Sequence, residues 1–202
     1  MNATDRVRAA VAAMAAGRGV LVVDDIDREN EGDVIFAAET VTDAQIAFLM
    51  RECRGLICVA LDPADVNRLD LPLMVGDNAD PFRTAFTVSV DAAHGVTTGI
   101  SAADRALSAR LLAAPATTRA DLTAPGHIFP LRAHPGGVRS RRGHTEAAVD
   151  LARAAGLRPA GVICEVADDD GVMLTGPALD AFAARHNLPL VSIDDLAQAL
   201  SC

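Results

Sequence analysis

The sequence predicts an α/β fold of the α+β kind: a mixed sheet covered by helices, in a single domain spanning residues 1–202. Two observations carry this prediction. Short apolar runs of strand length recur along the chain, at Val20 to Val23, Val34 to Ala38, Leu56 to Leu61, Ala160 to Val166 and Leu188 to Ile193. Between them lie stretches with helical spacing, but strands and helices do not alternate strictly, which argues against a uniformly parallel sheet. A length of 202 residues, half of them apolar, suits one domain with a substantial core.

In chain order, Val7, Val11 and Met14 follow helical spacing over residues 4–16, and Gly17 supplies a stop. A strand at Val20 to Val23 leads into an acidic loop, and Asp33 to Ala38 forms the next strand. Thr42-Asp43-Ala44-Gln45 has the form of a capping box and opens a helix to about Cys53. Gly55 to Leu61 reads as a third strand. Pro63, Pro72, Gly76, Asn78 and Pro81 make residues 62–84 irregular, and Met74 to Arg83 reads as an exposed loop of the size used for lids and binding loops. Phe86, Val88 and Val90 alternate with Thr87 and Ser89, predicting a half-buried strand over Ala85 to Asp91. Ser101 opens a helix to about Leu112. Gly126 to Leu131 is a short strand carrying His127. Arg132 to Gly143 is basic and glycine-rich, and His144 to Ala155 is a helix ended by Gly156. Ala160 to Val166 is a strand, Pro177 starts a helix to His186, Leu188 to Ile193 is the last strand, and Asp194 to Leu200 the last helix.

Composition removes several classes of function. The formal charge of −9 argues against a nucleic-acid partner, which would call for a basic face. No apolar run reaches transmembrane length, so no membrane partner is expected. Residues 1–6 lack an apolar signal core, and Cys53, Cys58, Cys164 and Cys202 form no Cys-x-x-Cys pair, so a cytoplasmic protein with reduced thiols is expected. There is no Gly-x-Gly-x-x-Gly and no P-loop. An EF-hand starting at Asp27 places Gly32 at its sixth position but Ala38, not glutamate, at its twelfth.

The densest chemistry lies between the first two strands. Asp24 to Asp33 packs six carboxylates into ten residues. Such crowding disfavours the charged forms unless a cation compensates. On an extended backbone Glu29, Glu31 and Asp33 share one face, an oxygen-donor set suited to a hard divalent ion; a solvated acidic loop is the alternative. A second stretch, Arg139-Ser140-Arg141-Arg142-Gly143-His144-Thr145-Glu146, runs arginines into a helix N-terminus. Free N–H groups and the helix dipole favour an anion there, and arginine adds a bidentate phosphate contact; a basic loop capped by Thr145 is the alternative. His144 reads as a metal ligand or a surface residue, His127 as a proton carrier or a packed histidine, and Glu165, ending an apolar strand, as a general base or an exposed strand end. Cys58, inside Leu56-Ile57-Cys58-Val59, reads as a core thiol.

Both stretches together resemble the 3,4-dihydroxy-2-butanone 4-phosphate synthase family of riboflavin biosynthesis. The likeness runs from about residue 5 to residue 195. It rests on Asp27-Arg28-Glu29-Asn30-Glu31-Gly32-Asp33 and Arg141-x-Gly143-His144-Thr145-Glu146. It also takes in Thr97-Thr98-Gly99-Ile100-Ser101-Ala102-x-Asp104-Arg105-Ala106, Pro125-Gly126-His127-x-Phe129-Pro130-Leu131-Arg132, Gly136-Gly137-Val138 and Ala160-Gly161-Val162-Ile163-Cys164-Glu165. The resemblance implies a homodimeric α/β lyase with its site near the subunit interface. It implies D-ribulose 5-phosphate as substrate, L-3,4-dihydroxy-2-butanone 4-phosphate and formate as products, and Mg2+ or Mn2+, two ions per site. It implies Glu29 and His144 as metal ligands. It implies Arg28, Glu29, Asp33, Arg141, Arg142, Gly143, His144, Thr145 and Glu165 as substrate contacts, and His127, Glu165, Asp33, Glu31 and Cys58 as the catalytic group. Where members of the family commonly carry Met-Ala-Arg after the Glu165 strand, this chain has Met173-Leu174-Thr175, and the GTP cyclohydrolase II domain that many relatives add is not expected within these 202 residues.

Overall fold

The structure, a computed structural model, describes residues 2–200. Seven strands form one mixed sheet. In chain order they are β1 (Val20–Val23), β2 (Gly32–Ala37), β3 (Cys58–Leu61), β4 (Val90–Ala92), β5 (Leu122–Arg132), β6 (Ala160–Glu165) and β7 (Leu190–Ser192), arranged β4-β5-β3-β6-β2-β1-β7. The pairs β3–β5 and β1–β7 are parallel, and the remaining neighbours are antiparallel. The helices are α1 (Ala3–Ala15), α2 (Asp43–Phe48), α3 (Pro63–Arg68), α4 (Ala102–Ala113), α5 (His144–Ala154), α6 (Pro177–His186) and α7 (Ile193–Ala199).

Apolar runs, rather than alternating patterns, mark the central strands because both sheet faces are covered. One face packs Leu21, Val34, Phe36, Val162 and Cys164 against residues of α2, α4 and α6. The other packs Val20, Val22, Ile35, Cys58 and Ile163 against α1, α5 and α7. The period of two along a strand then fixes the face of each polar end residue. Asp33 shares the face of Ile35, and Glu165 that of Ile163. The register pairs Asp33 with Glu165 and Cys58 with Ile163, so three sequence candidates stand side by side under α5.

Five expectations are corrected. The strand over residues 85–91 is broken. Phe86 and Thr87 make only isolated bridges, to Leu131 and Leu73, and the ladder resumes at Val90. Thr87 and Val88 donate to the carbonyls of Pro130 and Pro72; prolines have no N–H to return, so no continuous ladder forms. The third strand starts at Cys58 rather than Gly55, because Arg54 is left-handed (φ 67°) and the next residues fold over Glu165. The helix expected to reach Cys53 changes at Leu49 to a wider π turn. Residues 62–84 are not all irregular: Asp62 caps α3, with Pro63 in its first turn. The strand around His127 is longer than expected, eleven residues despite Pro125 and Pro130. Cys202, expected as a reduced thiol, lies outside the described residues; Cys53, Cys58 and Cys164 are buried free thiols.

Candidate active site

The acidic loop is built around Asp24. Its side chain is fully buried; Oδ2 accepts from the Arg28 guanidinium (2.9 Å) and the Glu29 N–H (3.0 Å), and Oδ1 from the Glu31 N–H (2.9 Å). Asn30 takes a left-handed conformation (φ 56°), which asparagine tolerates and which turns the chain back into β2. Glu29, Glu31 and Asp33 therefore converge through a folded turn, not the extended segment the sequence suggested.

The helix tip arrives from the other side. The N-cap of α5 is Gly143, so no side chain caps the helix. A Cβ at Gly143 would lie 2.2 Å from Arg141 Nη1 and 2.7 Å from Glu146 Oε2, so a glycine is needed where Arg141 crosses to its buried partner. His144 Nδ1 lies 3.6 Å from Glu29 Oε2 and 3.7 Å from Asp33 Oδ1. The two distant stretches thus share a cavity of about 220 Å3. Its lining includes Arg28, Glu29, Glu31, Asp33, Cys58, Arg141, His144, Thr145 and Glu165.

Electrostatics mark the same spot. Burial, reinforced by the charges of Glu165, Glu29 and Glu31 and opposed by His144, pushes Asp33 up to about 7. Burial and the neighbouring Glu29 and Glu165 also raise Glu31. Burial works against the His144 cation, but Asp33, Glu29 and Asp24 overcome it and lift the imidazole to about 9. Glu29 is lowered despite its burial, by its contacts with His144 and Arg28. Burial raises the Cys58 thiol far above its ordinary value, so Cys58 stays a neutral wall of the cavity.

The donor set fits a divalent cation. Asp33 Oδ1 and His144 Nε2 are buried polar atoms with no hydrogen-bond partner, and leaving such atoms unsatisfied is costly. Asp24, Glu29 and His144 offer ligand atoms within 4.8 Å of one another. Asp24 already accepts three hydrogen bonds and serves as the loop's keystone, which leaves Glu29 and His144 as the donors with capacity to spare.

Other candidates fall elsewhere. Of the three arginines before α5, only Arg141 lines the cavity. Consecutive residues diverge there: Arg142 turns outward to Asp194 (2.7 Å), and Arg139 lines a separate hollow with Gly136, Gly137 and Arg153. His127 lies outside the cavity's lining and is bonded to Asp91. Glu165 lines the cavity, and its Oε2 accepts the Leu56 N–H at 2.8 Å. The sequence reading missed Asp80, Thr84 and Phe86 in the cavity wall. Asp80 belongs to the Met74 to Arg83 loop, singled out by its size alone, and that loop does reach the site. Arg141 donates to the Phe82 carbonyl (3.1 Å) and to Thr84 Oγ1 (3.0 Å), and the Arg28 guanidinium sits 5.0 Å from the Phe82 ring centre.

Comparison with known proteins places the chain among relatives of one family. The family described as 3,4-dihydroxy-2-butanone 4-phosphate synthase matches residues 8–199. A synthase of that name from Pelobacter propionicus is 55% identical over 193 residues, covering 96% of this chain and 82% of the relative. One from a Shewanella species is 54% identical over 195 residues, covering 96% and 90%. A crystal structure of 3,4-dihydroxy-2-butanone 4-phosphate synthase in complex with two magnesium ions superposes with a TM-score of 0.92 at 49% identity, over 96% of this chain and 95% of that one. Among the described residues no helix is long and apolar enough to cross a membrane.

Proposed function

Because the chain belongs to the 3,4-dihydroxy-2-butanone 4-phosphate synthase family, lyases of riboflavin biosynthesis, we propose that its cavity converts D-ribulose 5-phosphate to L-3,4-dihydroxy-2-butanone 4-phosphate and formate. The observation that carries the reading is the meeting of Glu29, Asp33 and His144, drawn from a loop and a helix tip more than 100 residues apart, around two unsatisfied buried polar atoms.

Glu29 and His144 are the residues that would hold Mg2+ or Mn2+, two ions per site. Bound there, the metal supplies Lewis-acid polarisation of the sugar's carbonyl and acidifies the neighbouring C–H. Asp33, buried in the cavity wall beside His144, is placed to take the C3 proton, with Glu31 beside it. Arg141, Thr145 and the uncapped N–H groups of α5 hold the phosphate. To do so Arg141 exchanges the Phe82 carbonyl and Thr84 for phosphate oxygens, while keeping Glu146 on its other side. Arg28 orients the sugar, and binding so many of its oxygens holds a flexible chain in one reactive conformer. Loss of the C1 hydroxyl needs an acid, and His127 is the proton donor. Glu165 moves protons in the later steps, in which C5 shifts from C4 to C3, water attacks the C4 carbonyl so released, and the C3–C4 bond breaks to free C4 as formate. One water is lost and one consumed, so the overall reaction balances.

His127 sits outside the cavity formed by its own chain. The proposal therefore includes a cytoplasmic homodimer in which His127 of one protomer serves the cavity of the other.

The experiment is to supply ribulose 5-phosphate labelled with 13C at C4 to the Mg2+-loaded protein. Labelled formate should appear, EDTA should abolish it, and restored Mg2+ should recover it. Folded, metal-loaded protein that releases no labelled formate would overturn the proposal.

A further inference from the structure

His127 projects from β5 at the side of the sheet where β4 is the edge strand. The β4–β5 register shifts between Val90 and Asp91. A bulge of this kind re-aims a side chain, and here the side chain is that of Asp91, only 8% exposed. Both of its carboxylate oxygens are spent on one residue. Oδ1 accepts the His127 backbone N–H at 2.9 Å, and Oδ2 lies 2.7 Å from His127 Nδ1. Nε2 lies at the open end of a ring whose side chain is 44% exposed.

A roof closes over the pair. Gly99 is left-handed (φ 88°), and a Cβ there would come within 2.1 Å of Asp91 Oδ2 and 2.6 Å of His127 Nδ1. That turn is tied down by buried Asp104, whose Oδ2 accepts from the Thr97 N–H (3.2 Å), Thr97 Oγ1 (2.7 Å) and the Gly99 N–H (3.0 Å). The Thr97-to-Asp104 motif, which the cavity does not use, is thus the mount of this pair.

We propose that Asp91 is the positioning residue of His127: the two-point grip of its carboxylate under Gly99 fixes the Nδ1–H tautomer and leaves Nε2 as the nitrogen that exchanges protons with substrate. The inference rests on the proton-donor reading of His127 given above. A carboxylate oxygen facing Nδ1 can only accept, so the ring hydrogen must stand on Nδ1 in the neutral imidazole. A ring anchored at both its backbone and Nδ1 also presents Nε2 in one direction.

The test combines ring-nitrogen NMR of 15N-histidine-labelled protein with kinetics. His127→Ala assigns the signals and should abolish turnover. The wild-type ring of neutral His127 should carry its hydrogen on Nδ1. In Asp91→Asn one oxygen still accepts the backbone N–H, and the amide then faces Nδ1 as a donor. The ring hydrogen should move to Nε2, and kcat should fall about 10^2- to 10^4-fold, the range seen when a proton carrier is held in the wrong tautomer. KM should change by only a few-fold, and the move of the ring hydrogen to Nε2 is a signature that loss of structure alone would not produce. An Nε2–H tautomer in the wild type overturns the inference even if the variant does not fold. So does an Asp91→Asn protein with unchanged ring signals and turnover while His127→Ala is dead. Full turnover in His127→Ala would instead reject the proton-donor reading itself.

Discussion

The proposed metal site rests on two side chains, Glu29 and His144. Each is placed by backbone features that its own identity does not require: the three-bond grip of Asp24 for Glu29, and the glycine N-cap of α5 for His144. Glu29→Gln or His144→Ala should leave the fold intact and cost at least about 100-fold in turnover, with Mg2+ affinity lost in titration calorimetry; wild-type binding in either would refute its metal role. Gly55 offers a subtler probe. A Cβ there would lie 2.4 Å from Glu165 Oε2 and 2.5 Å from its carbonyl oxygen. Gly55→Ala should therefore lower stability by about 1–3 kcal/mol in denaturant melts, as overpacking does, and reduce kcat by displacing Glu165. At this scale the sequence was informative where a charge sat in an unlikely setting: six carboxylates together, or Glu165 after an apolar run. It was silent on direction. Arg141 and Arg142 are equivalent as text, and only the turn before α5 sends one into the cavity and the other to Asp194.

Elements with local signals were legible. The capping box at Thr42, Ser101 before α4 and Pro177 in the first turn of α6 all act as read. What could not be read was pairing. β4 and the bridges around Phe86 depend on which carbonyls the prolines present, and the pairing of Asp91 with His127 depends on a bulge between strands more than 30 residues apart. Helix docking has its own test. The Arg6 guanidinium of α1 bonds Asp195 of α7 at 2.8 and 2.9 Å. That hydrogen bond, more than the opposing burial, holds the Asp195 carboxyl below its usual range. A lowered carboxylate stabilises the fold above the unfolded value of about 3.9 and stops doing so as pH falls through the folded value. Asp195→Asn should thus lower Tm at pH 7, and the difference from wild type should shrink steadily as the pH is taken below about 3.9. A Tm difference independent of pH would contradict the ion pair's role.

Over the whole molecule, sheet and helices have one consequence for chemistry: α5 packs across β2, β3 and β6, and its N-terminus comes to rest where Asp33, Cys58 and Glu165 end their strands or begin them. The class of fold followed from apolar runs that need cover on both faces. The strand order did not, because nothing in a run's composition says which neighbour it chooses. Assembly lies at this scale too. If His127 serves the opposite protomer, Glu29→Gln and His127→Ala chains, each inactive alone, should recover up to about a quarter of wild-type turnover when co-refolded, since half of random dimers are hybrids with one intact site each. A mixture that stays inactive would place His127 in the site of its own chain.

The most direct measurement is anomalous diffraction from crystals soaked with Mn2+ and ribulose 5-phosphate. Manganese should lie within about 2.0–2.2 Å of both the Glu29 carboxylate and the His144 imidazole, with the phosphate against Arg141 and the start of α5. Manganese bound away from that pair, or a phosphate seated on Arg139 or Arg142 instead, would contradict the proposed site.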